Sequence, residues 1–183
     1  MKKILFLVIS MAFFACGESS EKDPIAFAAE QKRATMKATI DSLEKVMNGN
    51  QGLLDKTLAN KLVKSYQDYY NMNSSDTTSA EFLFKGANIA TAVGKHHQAI
   101  KMLEAYYDTF QTAPKRPDAL YLIGFIYENG LKDIPNAKKM YNRTIEVYPE
   151  SFWAEQAKSA LALIDLQGDD LIKFLEEQNK VAQ

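Results

Sequence analysis

The sequence predicts an all-α fold in which antiparallel helix pairs stack as a solenoid, opened by one amphipathic helix and closed by another. Three observations predict it. Segments beginning at Ala59, Ala99 and Ala137 superimpose without gaps over about twelve residues, the signature of an internal repeat. A second kind of segment alternates with them. No stretch shows the sustained period-two alternation of a half-buried strand.

The first kind of segment repeats at offsets 0, 3, 4, 7 and 11. It reads Ala59, Leu62, Val63, Tyr66 and Tyr70; then Ala99, Met102, Leu103, Tyr106 and Phe110; then Ala137, Met140, Tyr141, Thr144 and Tyr148. These offsets share one helix face, so the five side chains of each set pack together. The leading alanine lets another helix approach closely. The alternating segments carry Leu83, Ala87 and Ala90, then Leu120, Gly124 and Tyr127, then Trp153, Ala157 and Ala160, each at offsets 0, 4 and 7. They are the partner helices.

The boundaries agree with this division. Thr78-Ser79-Ala80-Glu81 has the form of a capping box, Pro117 and Pro135 sit where helices start, and Gly94 and Gly130 mark turns inside pairs. Met36, Ile40, Leu43 and Met47 form the stripe of an opening helix over residues 26–47 with polar first turns, followed by a glycine-containing turn at 48–52. Gly168 and Asp169 end one helix, and Leu171, Ile172, Phe174 and Leu175 predict a closing helix with Glu176, Glu177 and Lys180 in water. A solenoid needs such atypical ends because a middle repeat leaves an apolar face open on each side.

Gly124, Tyr127, Ala137, Tyr141 and Pro149 together resemble the tetratricopeptide repeat. The preceding pair matches through Ala87, Gly94, Ala99 and Leu103, with Ala90 at the family's aromatic position and its proline displaced to Pro114. Repeat intervals of 40 and 38 residues exceed the family's 34, so the loops between pairs are longer. The stretch 148–154 resembles the junctions in the lipoprotein subunit of the outer-membrane barrel-assembly machinery and in the Tol-Pal periplasmic coordinator. The resemblance covers residues 53–165. It implies a scaffold for protein–protein interaction whose first helices line a concave wall.

At the N-terminus, Lys2 and Lys3 precede an apolar run over residues 4–15 interrupted only by Ser10. This pattern reads as a secretory signal peptide, residues 1–15. As a helix it would reach about 18 Å, too short for a hydrocarbon core of about 30 Å. Phe13-Phe14-Ala15-Cys16 resembles the lipobox of bacterial lipoproteins, with Phe13 where the family usually has an aliphatic residue. The resemblance implies acylation of Cys16, the sole cysteine, and residence as an outer-membrane lipoprotein facing the periplasm or the surface. An ordinary signal peptide with a lone thiol is the alternative. Residues 16–25 then form a tether, and residues 26–183 the repeat domain. Glu18, Glu21 and Asp23 resemble the surface-export signals of Bacteroidetes lipoproteins.

The charge balance excludes one class of function and the motifs exclude others. With 22 Lys+Arg against 23 Asp+Glu, nothing drives nucleic-acid binding. There is no phosphate-cradling glycine loop, HExxH or GxSxG, so we expect no enzyme, cofactor or metal. His96 and His97 are adjacent, point about 100° apart on a helix and are expected on the solvated surface. Asp165, Asp169 and Asp170 lie near a helix break and read as caps and solvating groups. Asn73-Ser74-Ser75 and Asn142-Arg143-Thr144 have the N-glycosylation form, and Asp76-Thr77-Thr78 resembles a Bacteroidetes O-glycosylation motif.

Most tyrosines belong to the packed face. In the first helix of each pair, the residue after the packed position is rotated toward the wall that the resemblance makes concave. This selects Phe84, Asn88 and Thr91 in one pair, and Tyr121, Phe125, Glu128 and Asn129 in the next. Phe84, Tyr121 and Phe125 would form an apolar patch rimmed by Asn88, Glu128 and Asn129, the anatomy of a hot spot for a protein or peptide partner. The same aromatics could instead pack against the opening helix or a loop, or stack on sugar rings as a carbohydrate-binding accessory of a nutrient-uptake system.

Overall fold

The computed structural model describes residues 23–49, 55–166, 173 and 180. Among them, seven α-helices follow one another: α1 (Pro24–Gly49), α2 (Lys56–Met72), α3 (Thr77–Ala92), α4 (His96–Thr109), α5 (Arg116–Phe125), α6 (Ile134–Val147) and α7 (Phe152–Asp165). The signal peptide, Cys16, and the apolar residues of the closing helix lie outside the described residues. Lys173 and Lys180 are helical and exposed.

Each helix packs on the next in the chain, and α5 also reaches α7 across α6, so the pairs stack into a solenoid. Alanines let the helices meet: Ala59, Ala90, Ala99, Ala119, Ala137 and Ala157 are fully buried. Larger residues fill the space around them. One cluster joins Ile40 of α1 to Leu62, Leu83, Met102, Leu120 and Ile126, and a smaller one surrounds Tyr141 between α6 and α7. Each such side chain contributes roughly 1.5–3 kcal/mol on burial. Tyr127 packs against both clusters and makes them continuous.

Local chemistry sets the helix ends. The carboxylate of Asp55 accepts from the backbone N–H groups of Thr57 and Leu58 at 2.8 and 3.1 Å, and the hydroxyl of Ser151 accepts from that of Ala154 at 3.1 Å. Pro117 and Pro135 occupy the first turns of α5 and α6, where a missing N–H costs nothing. Gly94 takes φ +81°, the left-handed region that glycine reaches without a steric penalty, and turns the chain from α3 into α4.

Five expectations are corrected. The cap of α3 is Asp76 rather than Thr78: its extended backbone lets the carboxylate accept from Thr78 N–H, while Glu81 instead pairs with Lys85. The opening helix starts at Pro24, two residues early, because Asp23 caps it through Ile25 N–H at 2.9 Å. Its first turn is apolar. His97 is exposed as expected, but the ring of His96 lies against Gly130, with Nδ1 buried. Asp165 is more than a solvating group, since it pairs with Lys138 across from α7 to α6. Finally, α5 does not end in a simple turn but continues as one turn of π-helix, Ile126–Gly130, where Leu131 N–H donates to Ile126 O at 3.0 Å. A β-carbon on Gly130 would lie 2.5 Å from His96 Nδ1, so the niche for the histidine ring depends on glycine.

Candidate functional site

The long loop between the second and third pairs builds the site. After α4, Phe110 N–H donates to Tyr106 O at 3.1 Å and Ala113 N–H donates to Phe110 O at 3.0 Å, curling residues 110–115 back over α3. Arg116 fastens the far end. Its Nη1 donates to Tyr107 O at 2.7 Å, its Nε to the Tyr148 hydroxyl at 2.9 Å, and its guanidinium lies 4.0 Å from the centre of the Tyr107 ring. On the near side, the hydroxyls of Tyr70 and Thr109 share a hydrogen bond of 3.0 Å that ties the start of the loop to α2.

Between this loop and α3 lies a cleft of about 880 Å³. Ala80, Phe84 and Asn88 of α3 line one wall, Ala113, Pro114 and Lys115 the other, and Tyr106 and Phe110 close the floor. The rings form a chain, with Phe84 5.4 Å from Tyr106 and edge-on, and Tyr106 6.0 Å from Phe110. Lys115 Nζ sits 4.7 Å from the Phe84 ring centre, within cation–π range. On the rim, Lys85 donates to Glu81 at 2.7 Å and Glu44 at 3.1 Å, and these carboxylates outweigh burial and raise its pKa. Burial raises the pKa of the Tyr106 hydroxyl. An apolar floor with a few polar groups at its edge suits a side chain or a short peptide.

The structure distributes the seven sequence-selected wall residues unevenly. Phe84 and Asn88 line the cleft. Thr91 donates its hydroxyl to Ala87 O at 2.8 Å. Tyr121 belongs to the C-terminal cluster, 5.4 Å from Tyr141 and 4.8 Å from Trp153. Glu128 accepts the Tyr141 hydroxyl at 2.7 Å, and Asn129 donates to Phe125 O at 3.3 Å. Phe125 is 40% exposed. Sequence reasoning missed the loop wall, Ala113 to Lys115, and assigned Tyr106 and Phe110 to packing alone. The displaced Pro114 and the 40-residue interval were the available signal. Among the described residues no cluster of three or more His, Cys, Asp or Glu converges as a metal site.

Residues 118–151 match the tetratricopeptide-repeat family model. The fold is that of a tetratricopeptide-type helix-pair solenoid. The matched repeat holds nearly all of α5, its π-helical turn, α6 and the Tyr148–Ser151 junction. A solved structure, the crystal structure of MamA, is 22% identical over 84% of this chain and 96% of that one, with a TM-score of 0.39. No curated protein matches. The tetratricopeptide architecture supports a scaffold for protein–protein interaction.

Proposed function

We propose that the protein is a membrane-tethered scaffold, held at the outer membrane through acylated Cys16, that grips a segment of a partner protein in the groove of its repeats. The α3 cleft is the anchor pocket of that groove. The observation that carries this reading is the cleft itself: about 880 Å³ of space over a chain of three aromatic rings, walled by a loop that the tetratricopeptide spacing does not require. Phe84 receives an apolar side chain of the partner, Asn88 bonds its backbone, and Phe125 extends the contact along the wall. Thr91, Tyr121, Glu128 and Asn129 shape that wall. The junction at residues 148–154, similar to those of envelope lipoproteins, favours a partner in the same compartment.

A photocrosslinker at Asn88, used on intact membranes, is expected to capture one contiguous segment of one protein. A synthetic peptide of that segment should then compete for capture, and Phe84→Ala should weaken its binding about tenfold, as loss of an anchor contact worth about 1.4 kcal/mol does. Equal capture by a crosslinker at Lys61, on α2 and outside the cleft, would overturn the groove.

A further inference from the structure

The start of α1 is a solvent-exposed, apolar helix end. Residues 24–32 are all exposed, while Arg33 lies beside the α2–α3 loop at Met72 to Thr77. At 1.5 Å per residue, the nine residues before Arg33 carry the helix about 14 Å past that loop. The leading six, Pro24, Ile25, Ala26, Phe27, Ala28 and Ala29, are apolar on every side of the helix, with Ile25 79% and Phe27 48% exposed. Glu30, Gln31, Lys32 and Arg33 follow as a polar collar. The Asp23 carboxylate caps this end, and no acidic side chain follows it in the first turn.

Six helical residues cover about 9 Å along the axis, comparable to the 5–10 Å depth of headgroup and acyl boundary that apolar faces of interfacial helices reach. Lys32 and Arg33 lie one to two turns back, where long cationic side chains reach headgroups while their stems stay in apolar surroundings. The chain ahead of the helix fixes where the tip can go. Seven residues, 17–23, separate Cys16 from Pro24 and span at most about 25 Å.

We propose that the apolar tip of α1 inserts into the phospholipid interface as a second membrane contact beside the acylated cysteine. This rests on the lipoprotein reading of the proposed function. Two contacts fix an orientation where a single acyl anchor fixes only a distance. Ser75 and Thr77 lie beside Arg33 and also line the cleft, so one end of the cleft lies on the side of the molecule that carries the tip. With the tip inserted, a partner segment in the cleft would run close to the membrane.

The test uses the full acylated chain reconstituted into phosphatidylethanolamine and phosphatidylglycerol vesicles doped with brominated phosphatidylcholine. Phe27→Trp adds a reporter at the tip, and the native Trp153 serves as the internal control. The expected result is flotation with the vesicles together with several-fold quenching of the added emission, while Trp153 stays unquenched. Ile25→Asp in the same background should remove most of that quenching without changing flotation or helicity. Flotation with an unquenched tip, as docking onto a protein would give, overturns the tip and leaves the tether standing. Quenching that survives Ile25→Asp also overturns it. Failure of the native chain to float sinks tether and tip together, whereas Cys16→Ser is expected to lose flotation that the native chain keeps.

Discussion

In α3 a β-carbon at Gly86 would run into Met102 of α4 and Tyr66 of α2. In α5 a β-carbon at Gly124 would run into Tyr141 of α6. Both pairs need a missing side chain at the crossing, but they close on it differently. Met102 presents the free end of a flexible thioether. Tyr141 presents a ring clamped by its hydroxyl to Glu128 at 2.7 Å and flanked by Tyr121. The pair that matches the family model is thus the one with the rigid contact and the π-helical turn, whereas the unmatched pair is regular and carries the cleft. Similarity to the family tracks the motif residues and says little about where the molecule departs from plain packing.

The largest expected effect separates the two crossings. A β-carbon at Gly124 would lie 2.8 Å from two atoms of the Tyr141 ring, which cannot swing away without breaking its bond to Glu128. Gly124→Ala should therefore cost about 2 kcal/mol, in the range for overpacking. At Gly86 the added carbon would lie 2.2 Å from Met102 Cε, the free end of a flexible side chain, and 3.2 Å from Tyr66 Cδ2, which needs to give by only a few tenths of an ångström. Gly86→Ala should cost less than Gly124→Ala. Urea denaturation of the two variants decides the matter, and equal losses would show that Met102 is held as firmly as Tyr141.

The second effect concerns two buried tyrosines, each of which donates to a carboxylate. Tyr66 donates to Glu44 at 2.5 Å and Tyr141 to Glu128 at 2.7 Å, and in both cases burial first, then the carboxylate, raises the phenol pKa far above its ordinary value. Glu44 has a second partner in Lys85 at 3.1 Å, so Tyr66→Phe leaves it compensated and should cost about 0.5–1 kcal/mol. Tyr141→Phe leaves the half-buried Glu128 carboxylate facing a bare ring, a loss of about 1–2 kcal/mol. The two midpoints in one denaturant series test the ordering. A double variant Tyr66→Phe with Lys85→Met should bring the first pair to the cost of the second.

These contrasts also show what the sequence made legible. Offsets 0, 3, 4, 7 and 11 found the row that each second helix turns toward its own pair, and Ala59, Leu62, Val63 and Tyr66 are all buried there. They missed Tyr69 and Tyr107, both buried, because a helix enclosed by two neighbours buries a second row. Tyr69 packs edge-on to Phe82 of α3 at 4.9 Å. The cleft was legible only as a spacing anomaly. Its shape depends on the path of residues 110–115, and that path is set by Arg116 reaching Tyr148, 32 residues away in the chain. Tyr121 and Glu128 lay on the predicted wall by helical phase, yet phase alone does not reveal that Tyr141 engages both of them.

The smallest expected effect compares two aspartates at helix starts. Asp133 accepts from Asn136 through its backbone N–H at 3.2 Å and its side-chain amide at 2.7 Å, all within one exposed turn of α6. Asp76 joins two helices: it accepts from Thr78 N–H at 3.0 Å and from the Tyr69 hydroxyl of α2 at 2.8 Å. Asp76→Ala should cost about 1–1.5 kcal/mol and Asp133→Ala about half of that. The pH dependence isolates the charge. The Thr78 N–H first, aided by the Tyr69 hydroxyl, holds the Asp76 carboxyl below its ordinary value of 3.8, against a smaller opposing effect of burial. Because the folded pKa is the lower one, this carboxylate stabilises the protein fully above the unfolded value. That contribution is lost as pH falls from about 4 through the folded pKa. Asp76→Asn keeps a competent cap but has no proton to gain. Its thermal midpoint should therefore fall less steeply than that of the native chain below pH 4, and parallel acid limbs would assign the native loss to other carboxylates.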